Sequence, residues 1–201
     1  MLKAVIFDLN GIFLQGELLS ERLKRDFDLK PSEFLPVLIR IMEQVRKPDA
    51  LDSYDLFKPY LKQWKIKLTK AAFFQYWFSG EHLNKEMLEY VHHLKLKKIK
   101  IYLLSNNFRE RTEYYRKELP ELFQVADRAY FSWETGAVKP DEKAYLNVLN
   151  EAGVKPEEAA YFDDSEKNVL AARKLGINAD QFSGVKETKK IIEELRKKLT
   201  R

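Results

Sequence analysis

The chain has 201 residues, enough for one α/β domain with an inserted subdomain and too few for two full enzyme domains. Hydrophobic residues at 45% and charged residues at 33% support a buried core, and the absence of cysteine excludes disulfides, cysteine–metal sites and thiol catalysis. The formal charge of +5 arises from 36 basic residues interspersed with 31 acidic ones, a mixed-sign surface without the focused field that nucleic acid requires. Met1-Leu2-Lys3 leads straight into an apolar run, with no long apolar leader ahead of it, and no apolar stretch approaches the roughly 20 residues of a bilayer span. A soluble, cytoplasmic protein with no membrane partner is expected, and no motif sets an oligomeric state.

In chain order, the first element is Ala4-Val5-Ile6-Phe7, ending at Asp8 and followed by Leu9-Asn10-Gly11-Ile12. Residues from about 15 to 82 lack strand-like runs. There Leu38, Ile41, Met42 and Val45 form a helical stripe, Ser20 and Thr69 are candidate N-caps, and Pro59 is expected to break or kink its helix. Phe73, Phe74, Tyr76, Trp77 and Phe78 crowd one segment. This stretch reads as a helical subdomain inserted after the first strand. Ile101-Tyr102-Leu103-Leu104 before Ser105, and Ala159-Ala160-Tyr161-Phe162 before Asp163, are further runs apolar at consecutive positions. Such runs fit parallel strands covered on both faces. Tyr145, Val148, Leu149 and Ala152 lie at helical spacing with Gly153 placed to end the helix, and Glu187 to Leu199 reads as a final helix with Ile191, Ile192 and Leu195 on one face. Strands alternating with helices predict a doubly wound, Rossmann-like α/β parallel sheet, in which ligands bind outside the carboxyl ends of the strands. Asp8, Ser105 and Asp163 share that edge.

Each polar ending carries two readings. Asp8 suits a nucleophile on phosphorus or a cation ligand, or else an Asx-type turn into Gly11. Ser105-Asn106-Asn107 offers a hydroxyl and a backbone N–H to a phosphate oxygen, or caps a helix starting near Phe108. Lys139-Pro140-Asp141 supplies a cation for a phosphoryl group and its neighbouring acids, or is a surface turn before a helix capped by Asp141. Asp163-Asp164-Ser165-Glu166-Lys167-Asn168 places two acids together at a buried strand end, a repulsive pair without a cation or lysine nearby. Hard oxygen donors there suit Mg²⁺, whereas capping by Asp164 or Ser165 would explain one acid and leave the other.

In order, Asp8-Leu9-Asn10-Gly11-Ile12, Ser105, Lys139-Pro140 and Asp163-Asp164 with Asn168 resemble the haloacid dehalogenase superfamily of phosphatases, over nearly the whole chain. The stretches "LLSNN", "VKPD" and "FDDSEKN" are similar to bacterial glucose-1-phosphate phosphatases and to the phosphatase domain of soluble epoxide hydrolase. The resemblance implies a core of residues 1–14 and 83–201 and a helical cap of residues 15–82. It implies Asp8 as nucleophile, forming an aspartyl-phosphate, and a Mg²⁺ held by the Asp8 carboxylate, the Asn10 carbonyl and Asp164, with Asp163 close by. Ser105 and the Asn106 backbone would hold the phosphoryl oxygens, and Lys139 would neutralise charge. One departure matters: the acid–base aspartate usual two residues after the nucleophile is Asn10 here, and an amide cannot deliver a proton.

The resulting expectation is a Mg²⁺-dependent phosphatase-like hydrolase of small phosphorylated metabolites, slowed by Asn10. The rivals are a phosphate- or partner-binding protein without turnover and a haloacid dehalogenase, for which paired metal-binding acids have no use. Trp64, Tyr76, Trp77 and Arg40 are the cap residues considered for the site, the three aromatics also being natural core residues.

Overall fold

In a computed structural model that describes residues 1–200, β1 (Ala4–Phe7) lies at the centre of a parallel sheet. On one side it pairs with β4 (Lys100–Ser105) and on the other with β6 (Ala159–Asp163). Strands β5 (Arg128–Phe131) and β7 (Asn178–Gln181) complete the order β5-β4-β1-β6-β7. The chain fills one side of β1 and then the other, so the order reverses at β1, where doubly wound sheets bind ligands.

Period-two alternation explains why these strands are apolar at every position. Val5, Phe7, Ile101, Leu103, Ala160 and Phe162 pack on one face, with α5 (Lys85–Leu96) and α11 (Val185–Thr200). Ala4, Ile6, Tyr102, Leu104 and Tyr161 pack on the other, against α9 (Glu142–Ala152) and α10 (Glu166–Lys174). Asp141 caps α9 by accepting from the Lys143 N–H at 3.0 Å, and Gly153 ends it at φ 65°.

A third cluster belongs to α1 (Leu19–Phe27), α2 (Pro31–Val45), α3 (Ser53–Gln63) and α4 (Lys70–Phe78). Ile41, Met42 and Val45 are buried there with Phe57 and Phe73. Thr69 caps α4, its hydroxyl accepting from the Ala72 N–H at 3.3 Å. Ser20 does not cap α1: Leu18 holds that position and Ser20 lies buried inside the helix. Nor does Pro59 break α3. Its ring and Asp55, whose carbonyl loses a donor, both face solvent, so water can satisfy that carbonyl. A ribbon absent from the sequence reading, β2 (Leu14–Gly16) paired antiparallel with β3 (Glu81–Leu83), marks the two crossings between this bundle and the sheet. No helix among the described residues is long and apolar enough to cross a membrane.

Candidate active site

Register decides which side chains meet. Phe7 is level with Phe162 on β6, so Asp8 and Asp163 emerge side by side, and the Asp8 N–H donates to the Phe162 carbonyl at 2.8 Å. Ser105 ends β4 on the opposite flank of β1. Lys139 arrives from the loop before α9, where Asn106 clasps it: the Lys139 N–H donates to Asn106 Oδ1 and Asn106 Nδ2 donates to the Lys139 carbonyl, both at 2.8 Å. Asp8, Ser105, Asn106, Lys139, Asp163 and Asp164 line one cavity of about 250 Å³.

The Lys139 ammonium, 4% exposed, donates to Asp8 Oδ1 at 2.8 Å and to Asp163 Oδ2 at 2.6 Å. It is therefore a bridge between two buried acids and not a surface turn lysine. Asp163 is saturated. It also accepts from the Tyr161 hydroxyl, from Asn168 Nδ2 at 3.0 and 3.1 Å, and from the Ser165 N–H at 2.8 Å. The acid turned onto the start of α10 is thus Asp163, and neither Asp164 nor Ser165 makes a side-chain cap there.

These environments pull the carboxyls apart. Burial raises the pKa of Asp8 against the opposing charge of Lys139. Burial acts in the same sense on Asp163, but the Lys139 charge and hydrogen bonds from Lys139 and Tyr161 outweigh it and hold its pKa low. Partial burial, then Asp8 and Asp163, push Asp164 up to about 6. Ligand oxygens from Asp8, Asp163 and Asp164 lie within 4.8 Å of one another, and a repelling hard-oxygen cluster of this size fits a divalent cation. Gly11 makes room for it. At φ +83° a side chain would be strained, and a Cβ would lie 2.7 Å from Asp164 Oδ2.

Asn10 lines the cavity with both ends engaged: Nδ2 donates to the Tyr115 hydroxyl at 3.2 Å and Oδ1 accepts from Asn107 Nδ2 at 3.4 Å. Tyr115 in turn donates to Glu81 Oε2 at 2.6 Å.

Of the four cap residues considered, only Trp77 reaches this region, lining an adjoining cavity of about 480 Å³ that shares Asn10, Arg111 and Asp164 with the first. Trp64 packs on Phe34 and Tyr60, Tyr76 donates to Asp26 at 2.9 Å, and Arg40 is exposed beside Tyr60. Two arginines that sequence reasoning missed, Arg46 and Arg111, do enter the cavity. Neither sits in a motif, and the only local signal is an arginine just past the apolar stripe that ends at Val45.

Comparison with known proteins shows the family and the fold. A family model described as haloacid dehalogenase-like hydrolase matches residues 2–176. A phosphorylated carbohydrates phosphatase from Thermotoga maritima is 30% identical over 195 residues, spanning 88% of this chain and 82% of its own. The structure of a predicted haloacid dehalogenase-like hydrolase from Porphyromonas gingivalis superposes with a TM-score of 0.75 at 25% identity, covering 98% of both chains. An enzyme of the same family from Bacteroides thetaiotaomicron, solved with magnesium and inorganic phosphate, shares the fold at a TM-score of 0.73 and 22% identity, over 90% of this chain and 94% of its own.

Proposed function

Because the chain belongs to the haloacid dehalogenase-like hydrolases, we propose that it is a Mg²⁺-dependent phosphatase acting on small phosphorylated metabolites through an aspartyl-phosphate on Asp8. The observation that carries this reading is the buried Lys139 ammonium shared by Asp8 and Asp163, with Asp164 and Ser105 on the same cavity. The phosphatase relative and the magnesium- and phosphate-bound neighbour support it.

A carboxylate oxygen of Asp8 forms a bond to phosphorus while the ester oxygen leaves with the bonding pair. Water then attacks the phosphorus of phospho-Asp8, restoring the carboxylate and releasing inorganic phosphate. Ser105 and the Asn106 N–H hold the phosphoryl oxygens, Lys139 offsets their charge, and Asp163 positions Lys139. Mg²⁺ on Asp8, Asp164 and the Asn10 carbonyl would shield the anionic nucleophile from the anionic phosphoryl group. Residues 15–82 act as a cap over a core of residues 1–14 and 83–201.

Asn10 makes this phosphatase selective in its leaving groups. Aryl phosphates leave as anions unaided, whereas a sugar alkoxide needs a proton that an amide cannot give. The test is initial rates on one aryl and one sugar phosphate, with and without Mg²⁺, for wild type, Asp8→Asn and Asn10→Asp. Turnover that depends on Mg²⁺ and on Asp8 is expected, together with a gain of about 10²-fold or more on the sugar phosphate in Asn10→Asp. Phosphate binding without any turnover would make the protein a binding module, and halide release from a 2-haloacid would make it a dehalogenase. No gain in Asn10→Asp, with fold and Mg²⁺ affinity intact, would remove the leaving-group argument alone.

A further inference from the structure

Two guanidinium groups enter the cavity of Asp8 and Lys139 from outside the strand ends. Arg46 directly follows α2, and Arg111 lies in the first turn of α6 (Arg109–Glu118). Arg111 is matched, since its Nη2 donates to the Glu81 carboxylate, and the surrounding Glu81 and Tyr115 outweigh its burial to keep it protonated. Arg46 is not. Among the described residues its guanidinium has no hydrogen-bond or ion-pair partner, and its Nε is shielded from solvent. Burial and the facing charge of Arg111 push its pKa down, against the attraction of Asp8. The Nε of Arg111 is likewise buried and unpaired.

Buried charged donors without an acceptor are costly, and like charges sharing a small cavity add to that cost. The other charges here find partners. Before a substrate enters, Lys139 and a divalent cation would balance Asp8, Asp163 and Asp164, and Glu81 balances Arg111, so Arg46 is the charge left over. An anion in the cavity between the two guanidinium groups would offset the unpaired charge of Arg46 and the repulsion between the two, in the forked geometry that carboxylates and phosphates share. The transferred phosphoryl group already has Ser105, the Asn106 N–H and Lys139 on the sheet side. Arg111 also lines the adjoining cavity with Leu38 and Trp77, where the carbon skeleton of a substrate has room.

We propose that Arg46, with Arg111 beside it, forms a subsite for a second anionic group of the substrate, a carboxylate or a second phosphate, distinct from the phosphoryl group that is transferred. The assignment rests on the phosphatase reading above and narrows its substrates to phosphorylated acids or bisphosphates.

The test uses non-hydrolysable probes on the full chain with Mg²⁺: propylphosphonate, 3-phosphonopropionate and propane-1,3-diphosphonate, titrated calorimetrically. Wild type should bind at least one of the two doubly anionic probes about tenfold or more tighter than propylphosphonate, the scale of one charge-assisted contact. Which of the two gains more tells carboxylate from phosphate. Arg46→Ala should abolish that preference, and Arg46→Lys, which keeps the charge without the fork and guards against misfolding, should retain part of it. Equal binding of all three probes by wild type would overturn the proposal. So would an Arg46→Ala loss as large for propylphosphonate as for the doubly anionic probes, because Arg46 would then serve the transferred phosphoryl group. Turnover of an aryl phosphate on the same preparation tests the phosphatase reading separately.

Discussion

Replacing Lys139 by methionine keeps the side-chain stem and removes a cation that lies 2.8 Å from Asp8 Oδ1 and 2.6 Å from Asp163 Oδ2. All three residues are buried, so water reaches them only through the cavity and replaces the ammonium poorly. Removing one partner of a buried ion pair costs about 3–5 kcal/mol, and here two carboxylates lose their cation together. The cost should depend on pH with a definite sign. In the wild type the pKa of Asp163 is held low, so it contributes stability above the ordinary carboxylate value of 3.8 that is lost as pH falls through its folded value. Without Lys139 that contribution disappears, and Asp8, already raised by burial, takes up a proton more readily. The two stability curves should therefore lie furthest apart near pH 7.5 and converge toward pH 4. Urea denaturation followed by circular dichroism, without Mg²⁺, measures this directly. A difference below about 1 kcal/mol at pH 7.5, or one of the same size at both ends, would refute the buried-bridge argument.

Asp164→Ala should abolish or strongly weaken Mg²⁺ binding measured by calorimetry, and equal affinity in both proteins would remove Asp164 from the ligand set. Because the pKa of Asp164 is raised to about 6 from 3.8, its contribution to apo stability is lost as pH rises through 6. Mg²⁺ should therefore raise Tm more at pH 7.5 than at pH 5, and a pH-independent shift would contradict this. Tyr115→Phe deletes the hydroxyl between Asn10 and Glu81, both hydrogen bonds going with it, and should cost about 1–3 kcal/mol in urea denaturation. Phe73→Ala, in the bundle's own core, should cost about 3–5 kcal/mol of stability if the bundle and sheet unfold together. A separate low-temperature transition would show instead that the bundle melts alone.

The three inner strands were legible because they are covered on both faces, and four consecutive apolar residues before a polar one leave few alternatives, whereas the edge strands Arg128–Phe131 and Asn178–Gln181 include polar residues and were not read. The same logic located Asp8, Ser105 and Asp163, whose places follow from where each strand stops. Thr69, Asp141 and Gly153 were legible because a cap is a local event within four residues. What escaped is non-local. The strands Leu14–Gly16 and Glu81–Leu83 are three residues each and include polar side chains, and they exist only by pairing across the whole inserted segment. Arg46 follows α2 and Arg111 stands on α6, in separate parts of the chain, and only the packing of these elements around the sheet edge brings them to one cavity. Trp64 and Tyr76 were candidates by size, but size alone does not say which way an aromatic side chain turns.

The polar network around position 10 is matched to an amide. The Nδ2 of Asn10 donates to the Tyr115 oxygen, and the Tyr115 proton is committed to Glu81, whose other oxygen accepts from Arg111. A carboxylate at position 10 would present an acceptor where this chain presents a donor. Tyr115 would have to turn its proton away from Glu81, or two acceptors would face each other across its hydroxyl. Burial and the nearby Glu81 already disfavour ionisation of Tyr115, so it cannot ease the conflict by losing its proton. Asn10 is therefore integrated into the structure that surrounds it. A chain that had merely lost an acid at position 10 would be expected to keep surroundings suited to a carboxylate. Here the donor–acceptor sequence runs consistently from Asn10 through Tyr115 and Glu81 to Arg111, ending at the residue beside Arg46. The same network that holds Asn10 thus fixes one wall of the proposed anion subsite, coupling the proton chemistry available at position 10 to the substrates that the cavity admits.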